Sequence, residues 1–422
     1  MSIDLDKRVR GKGTKFRLFA QSPTLDDFKT PEVVWVSSPK GSLNPGPADH
    51  RMYVVDAIDK THYDSGDMGP YRGPKHDAVK PNRDGHFDHL DPADRRFWSA
   101  HSFGVVRRVL DIWEDYLGLE VPWHFEPFQS RLEIVPWVDW KNAQFGWGFM
   151  ESGYGLDDRG EKRPFCLNFD VMAHETGHSL VFSIVGFPEL FELTAEYRGF
   201  HESASDMVAL ISALHFESFQ DHILKKTGGN LYLENELNRI GELSKTKQIR
   251  IASNALTMDQ VADTGRPHDD LSGKEIHALG QPLTGALFDI LVGIYQEKLI
   301  EFGAISRELA DRSSRPEGDD VDSDVISAAY ARAYREAPYS FRDALSEARD
   351  ALGVRLAHTW RDLPPGNLTF AKVARAFLTI DRRFSGQRYQ DLIVESFHWR
   401  KIGFQFSVKG LLKSPPKRET QS

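Results

Sequence analysis

The apolar residues of this chain change their spacing once, near residue 185, and that change limits the folds open to it. Before it, KFRLFA, PEVVWVS and MYVVDAI alternate in the period-2 manner of half-buried strands and are separated by Pro, Gly and Asp stretches. Residues 62–95 are loop-rich, a long helix is expected at about 96–118 and ended by Gly118, and RLEIVPWV and QFGWGFM are expected as two further strands before the turn SGYGLDDRG. Beyond residue 185 the spacing is 3–4 throughout, in HESASDMVALISALHFESFQDHILKK, QPLTGALFDILVGIYQEKLIEF, DSDVISAAYARAYREA, FRDALSEARDALGVRLAH and FAKVARAFLTIDRRF. The pattern predicts an α+β protein. Its parts are a strand-rich region over 1–185, a helical region over 186–412 and a flexible tail over 413–422, with a cleft where the two regions join.

At that joint lies FDVMAHETGHSLVFSIV, residues 169–185. His174 and His178 are four apart, so on a helix they stand one turn apart on one face and can offer both imidazoles to one ion. Glu175 points away from that face, near enough to act on a water at the metal but poorly placed as a ligand. Zinc in a hydrolytic site takes three protein ligands and leaves a fourth position to water, so a third ligand is needed. Glu192, Glu196, His201 and Glu202 are the nearby candidates. The segment GFHESASD favours Glu202, because Asp206 follows it at i+4 and can accept the spare N–H of a liganding histidine.

Composition narrows the partners. A net charge of −9 over 422 residues, with 40% hydrophobic and 27% charged residues, argues against nucleic acid or an anionic membrane as the main partner. Cys166 is the single cysteine, so neither an internal disulfide nor a cysteine-rich metal site can form. The first residues hold no apolar stretch of signal-peptide length and no run of 18 apolar residues occurs, so a cytoplasmic location is expected. The oligomeric state is not readable.

HETGH followed, 24 residues after its second histidine, by GFHESASD resembles the thermolysin-like zinc metallopeptidases. SAHSFGVVRRVLDIW is similar to the long helix of that family's N-terminal domain, and FDVMAHE to the start of its metal helix. KNAQFGWGFM is similar to the edge strand that pairs with the substrate backbone, with Asn142 and Ala143 as its Asn-Ala. IRIAS and IHALGQPLTGALF, 27 residues apart from Arg250 to His277, resemble the segments of the family's substrate-binding arginine and transition-state histidine. The resemblance covers about residues 95–290.

It implies a two-domain thermolysin-like fold and one zinc per chain on His174, His178 and Glu202, with Asp206 behind a histidine. The implied reaction is hydrolysis of a peptide or protein substrate, with Glu175 as general base, His277 and Tyr197 as oxyanion donors, and Asn142, Ala143 and Arg250 holding the peptide. MVALISALHF, after Asp206, lacks the acidic cluster of the calcium-binding members; Asp170 is retained, but one acid makes no calcium site, so calcium dependence is not expected.

Two other readings compete. GFMES resembles the strand of zinc aminopeptidases whose glutamate, here Glu151, holds a free amine, although Ser152 stands where that pattern has Asn. A metal-stabilised interaction domain is the non-enzymatic alternative, and Glu175 argues against it because a structural site has no use for a general base. DGHFDHLD, residues 84–91, is expected to be a polar loop with Asp91 capping the next segment rather than a second ion site.

Overall fold

The computed structural model describes residues 5–403 apart from 65, 245–246, 262–270 and 314–319. The tail KGLLKSPPKRETQS and much of the run RPEGDDVDSD lie outside the described residues.

The N-terminal half is built from short strands around one long helix. Gly13–Leu18 and Glu32–Pro39 pair antiparallel, with Phe16 opposite Val34, and their alternate apolar residues turn inward. Phe16 stacks on Phe87 and Phe103, the latter on the long helix Arg95–Leu117. Asp94 caps that helix by accepting from the Arg96 amide, and Gly118 ends it in the left-handed conformation at φ 70°, returning its N–H to Glu114. A four-stranded sheet follows in the order Met52–Val54, Leu132–Val135, Phe149–Ser152, Ala143–Phe145. The first two pairings are parallel and the last antiparallel, so Ala143–Phe145 is an edge strand.

QFGWGFM is not one strand but two. The chain turns at Gly146–Gly148, where Gly148 sits at φ 80° and a Cβ on Gly146 would meet the Phe149 ring at 2.2 Å. In 84–91, the His86 ring accepts from the Lys15 amide at 3.2 Å and Asp91 accepts from the Ala93 amide at 2.9 Å, while the helix itself is capped by Asp94.

The C-terminal half is helical, with one departure. Helices Phe169–Ile184, Ala195–Ala213 and Glu217–Thr227 come first, and Gly273–Glu301, Arg307–Ser313, Asp320–Glu336, Pro338–Asp362, Phe370–Ser385 and Gln390–Trp399 follow. Between them Arg239–Ser244 and Lys247–Ile251 form an antiparallel pair where only helices were expected. Its period-2 signal lies in RIGELS and KQIRI, short runs inside a region dominated by 3–4 spacing.

Gly273–Glu301 is long and apolar enough to cross a membrane by length and composition, but 89% of that apolar window is buried inside the protein. Its apolar residues pack on several sides, as expected of a core helix. One apolar core runs from Val9 to Ile402, joining both halves, with Trp113 of the N-terminal helix stacked on Trp360 at 4.7 Å. The arrangement is the expected α+β one, a strand-rich N-terminal region followed by a helical C-terminal region.

Candidate metal centre

Two helices meet at contact distance because their facing residues are small. Gly177, between Thr176 and His178, has no room for a side chain: a Cβ there would lie 2.7 Å from the Cα of Ser205. The helix Ala195–Ala213 therefore closes on the helix Phe169–Ile184 and carries Glu202 to the two histidines. A second close approach sets a third helix. A Cβ on Gly280 would meet the Gly199 carbonyl at 2.7 Å and Glu202 at 3.2 Å, so the start of Gly273–Glu301 lies on the same helix and brings His277 with it.

His174, His178 and Glu202 each offer one ligand atom, and these atoms lie within 4.8 Å of one another. His174 Nε2 is 3.5 Å from one Glu202 oxygen and His178 Nε2 is 3.7 Å from the other. Two ligands held about 2.1 Å from one tetrahedral ion stand about 3.4 Å apart, so these separations are close to those of a shared zinc. The donor set, two imidazoles and a carboxylate, is also that of a hydrolytic zinc site with one position left open. The residues fit the ion.

Electrostatics prepare the carboxylate. Burial would raise the Glu202 pKa, but His178, His174, His277 and Arg250 outweigh it and hold the group well below the usual carboxylate range. His178 is pushed down to about 3, chiefly by burial, which keeps its ring neutral and its lone pair available. Burial and Arg250 oppose a proton on His174, yet Asp206 and Glu202 raise it to about 9. Asp206 is fully buried, with one oxygen 3.0 Å from His174 Nδ1 and 2.9 Å from Arg250 Nε. It therefore faces the ring nitrogen that points away from Glu202, where an acceptor orients a ligand histidine.

Glu175 is partly exposed, and its carboxyl is raised by burial and by Glu202 against the pull of His174. That is the direction expected of a group that takes and returns a proton near neutrality.

The other residues divide. His277 lies at the rim, 47% exposed, with Nε2 3.0 Å from Glu202. Arg250, on the hairpin, reaches Glu202 at 3.2 Å as well as Asp206, and its guanidinium lies 2.9–3.0 Å from both ring nitrogens of His174. It is thus committed to His174, Glu202 and Asp206, rather than free for substrate as expected. Tyr197 is also corrected: it is buried and donates to the Gly186 carbonyl at 2.6 Å, so its hydroxyl does not face the cluster as a donor.

Ala143 pairs with Ser152 on the edge strand and packs with Val171 of the histidine helix, and the Asn142 carbonyl accepts from Gly153. Glu151 is fully buried and paired with Lys60 at 2.7 Å, and it also accepts from the Tyr63 amide and the Gln144 side chain, both at 2.6 Å. Both of its oxygens are engaged. Asp170 accepts from Gln21 at 2.8 Å and from the Gly241 amide at 3.3 Å, tying the N-terminal segment to the hairpin; burial raises it to about 7.

Sequence reasoning missed the roles of Gly177 and Gly280, whose signal was present as glycines inside helical runs. No family model matches this chain, and no curated protein matches it in sequence. Among solved structures it is similar to the precursor of protealysin, a metalloproteinase from Serratia proteamaculans, at 13% identity and a TM-score of 0.48 over 87% of this chain and 92% of that one.

Proposed function

We propose that this chain is a zinc-dependent peptidase that hydrolyses internal peptide bonds. The observation that carries the reading is the convergence of His174, His178 and Glu202 at ligand-like separations, with Glu175 next to the first histidine. The HETGH and GFHESASD resemblance supports it from the sequence side.

Zinc held by these three residues would polarise a substrate carbonyl and make water acidic enough to attack at neutral pH. Glu175 would take the proton of that water and pass it to the leaving nitrogen, a role its raised pKa suits. Asp206 would hold the His174 ring in its liganding orientation, and Arg250 would offset the negative charge of Glu202 and Asp206. His277, half exposed at the rim, supplies a donor towards developing negative charge. The peptide would be added as a strand to the edge Ala143–Phe145, which runs beside the histidine helix.

The commitment of Glu151 to Lys60 favours internal cleavage over the aminopeptidase alternative, because binding a free amine there would break a buried ion pair. Acetylated and free versions of one peptide library, digested side by side and read by mass, test this. Internal cuts are expected in both, reduced at least 10²-fold in Glu175→Gln, the low end for a positioned acid–base group. Release of single N-terminal residues from free peptides alone would replace the endopeptidase reading by the aminopeptidase one.

A further inference from the structure

Between the helices Phe169–Ile184 and Ala195–Ala213 the chain makes a short 3-10 turn, Leu190–Glu192, that buries none of its residues. Leu190 is 82% exposed and Phe191 86%, so neither side chain lies in a groove or packs on the core. The turn is nevertheless held in place. The Glu192 carbonyl accepts from the Asn367 amide at 2.8 Å, Thr194 Oγ1 donates to the Leu368 carbonyl at 2.6 Å, and Glu196 accepts from the Phe370 amide at 2.5 Å. A Cβ on Gly366 would meet Glu192 at 2.3 Å, so the two segments touch directly. One exposed apolar side chain is ordinary on a protein surface. An adjacent pair on a turn fixed by three hydrogen bonds points to a contact outside the molecule.

The segment that holds the turn opens the helix Phe370–Ser385, and that helix carries a row of cations. Lys372, Arg375, Thr379 and Arg382 are spaced 3, 4 and 3 apart and all are exposed, so they form one stripe about 15 Å long, while Val373, Phe377 and Ile380 bury the opposite face. Lys372, Arg375 and Arg382 form no ion pair among the described residues. The exposed acids near the helix are engaged elsewhere, Asp362 with Arg383 at 3.3 Å and Glu301 with Arg388 at 2.8 Å. Glu189, exposed beside the turn, offsets only part of the charge. Stripe and turn meet at Asn367: Lys372 Nζ donates to its carbonyl at 2.7 Å, and its amide donates to Glu192.

The net charge of −9 argues against an anionic membrane as the main partner of the whole chain, but the attraction is decided locally, because charges farther than a Debye length of about 8 Å are screened. Projecting apolar side chains suit a medium that deforms around them and needs no pocket, and a straight row of cations suits a plane of anionic headgroups. We infer that the Leu190–Phe191 turn and the Lys372, Arg375, Arg382 stripe together dock the protein on a lipid bilayer that carries anionic headgroups. The turn joins the helices that carry His174, His178 and Glu202, so docking holds that cluster close to the bilayer. The inference does not depend on the peptidase reading.

The test sediments the full chain with vesicles of phosphatidylcholine, pure or containing about one third phosphatidylserine. Binding is expected to the anionic vesicles and not to the pure ones, with release at about 0.5 M sodium chloride. Lys372→Gln, Arg375→Gln and Arg382→Gln should each weaken it roughly fivefold, the usual effect of one cation at an anionic surface. Leu190→Ser with Phe191→Ser should weaken it at least about tenfold, as expected for two apolar side chains removed from water. These side chains are exposed, and unchanged circular dichroism shows that each variant folds. Arg332→Gln with Arg335→Gln, exposed on another helix, should leave binding unchanged.

No binding to the anionic vesicles would overturn the inference, as would equal losses in the Arg332, Arg335 control, which would reduce the effect to general charge. Binding unaltered by the turn and stripe variants would overturn it too. A dimer in sedimentation equilibrium that the Leu190, Phe191 variant abolishes, without vesicle binding, would give the turn to a second copy of the chain. Binding of polyglutamate but of no vesicle, lost in the stripe variants, would give the stripe to an acidic protein and likewise overturn the bilayer.

Discussion

Gly177 separates the two histidines of the motif, and a methyl group there would press on the Ser205 backbone at 2.7 Å. The geometry of the His174, His178 and Glu202 cluster thus depends on a residue outside it. Asp206 is a second such residue: it is buried and faces His174 and Arg250. Replacing it by alanine should preserve the fold but weaken zinc binding roughly 10–100-fold, the usual effect of removing a partner of a ligand histidine. Competition with a chelator of known affinity measures this. An unchanged affinity would leave Asp206 as a partner of Arg250 only. At this scale the nearness of His174 and His178 was legible because i, i+4 spacing maps directly onto one helix face. The commitments of Arg250 and Tyr197 were not, because they depend on a hairpin and a loop whose places are set by tertiary contacts.

Elements are held together here by buried polar clamps as well as by the core. Glu236, beside the hairpin, accepts from Lys226 at 2.6 Å and lies 3.0 Å from His222, both on the helix Glu217–Thr227. Burial raises its carboxyl, but the His222 and Lys226 contacts outweigh that and lower it to about 2. A carboxyl depressed in the folded state contributes stability that is present above its unfolded pKa, near 4.3, and is lost as pH falls through the folded value. Wild type should therefore unfold at higher denaturant concentration than Glu236→Gln at pH 6, and the gap should narrow steadily between pH 4.5 and pH 2. A gap independent of pH over that window would mean that the clamp acts through packing alone.

The same scale shows why some elements escaped the sequence. The turn at Gly146–Gly148 splits an apparently continuous strand, and the pair Arg239–Ser244 and Lys247–Ile251 interrupts a region whose dominant spacing is helical. Short strands carry few periods, so neighbouring signal overrides them. Long helices were clearer: Asp94 and Gly118 bound the first one within two residues of expectation, because cap chemistry is local.

Across the whole molecule, the helices that carry His174, His178 and Glu202 pack on each other, and the edge strand runs beside the first of them. The change in apolar spacing marks the passage from a strand-rich region to a helical one, since each must bury a face of its own. It did not reveal the continuity of the core from Val9 to Ile402, which comes from helix contacts distant in sequence, such as Trp113 on Trp360. The central claim is that these three residues, on two packed helices, hold one zinc. Zinc content after exhaustive dialysis, measured by elemental analysis for wild type, His174→Ala and Glu202→Ala, tests it most directly. The account predicts about one zinc per wild-type chain and loss of tight binding in both variants. Stoichiometric zinc retained by Glu202→Ala, or none taken up by folded wild type, would contradict it.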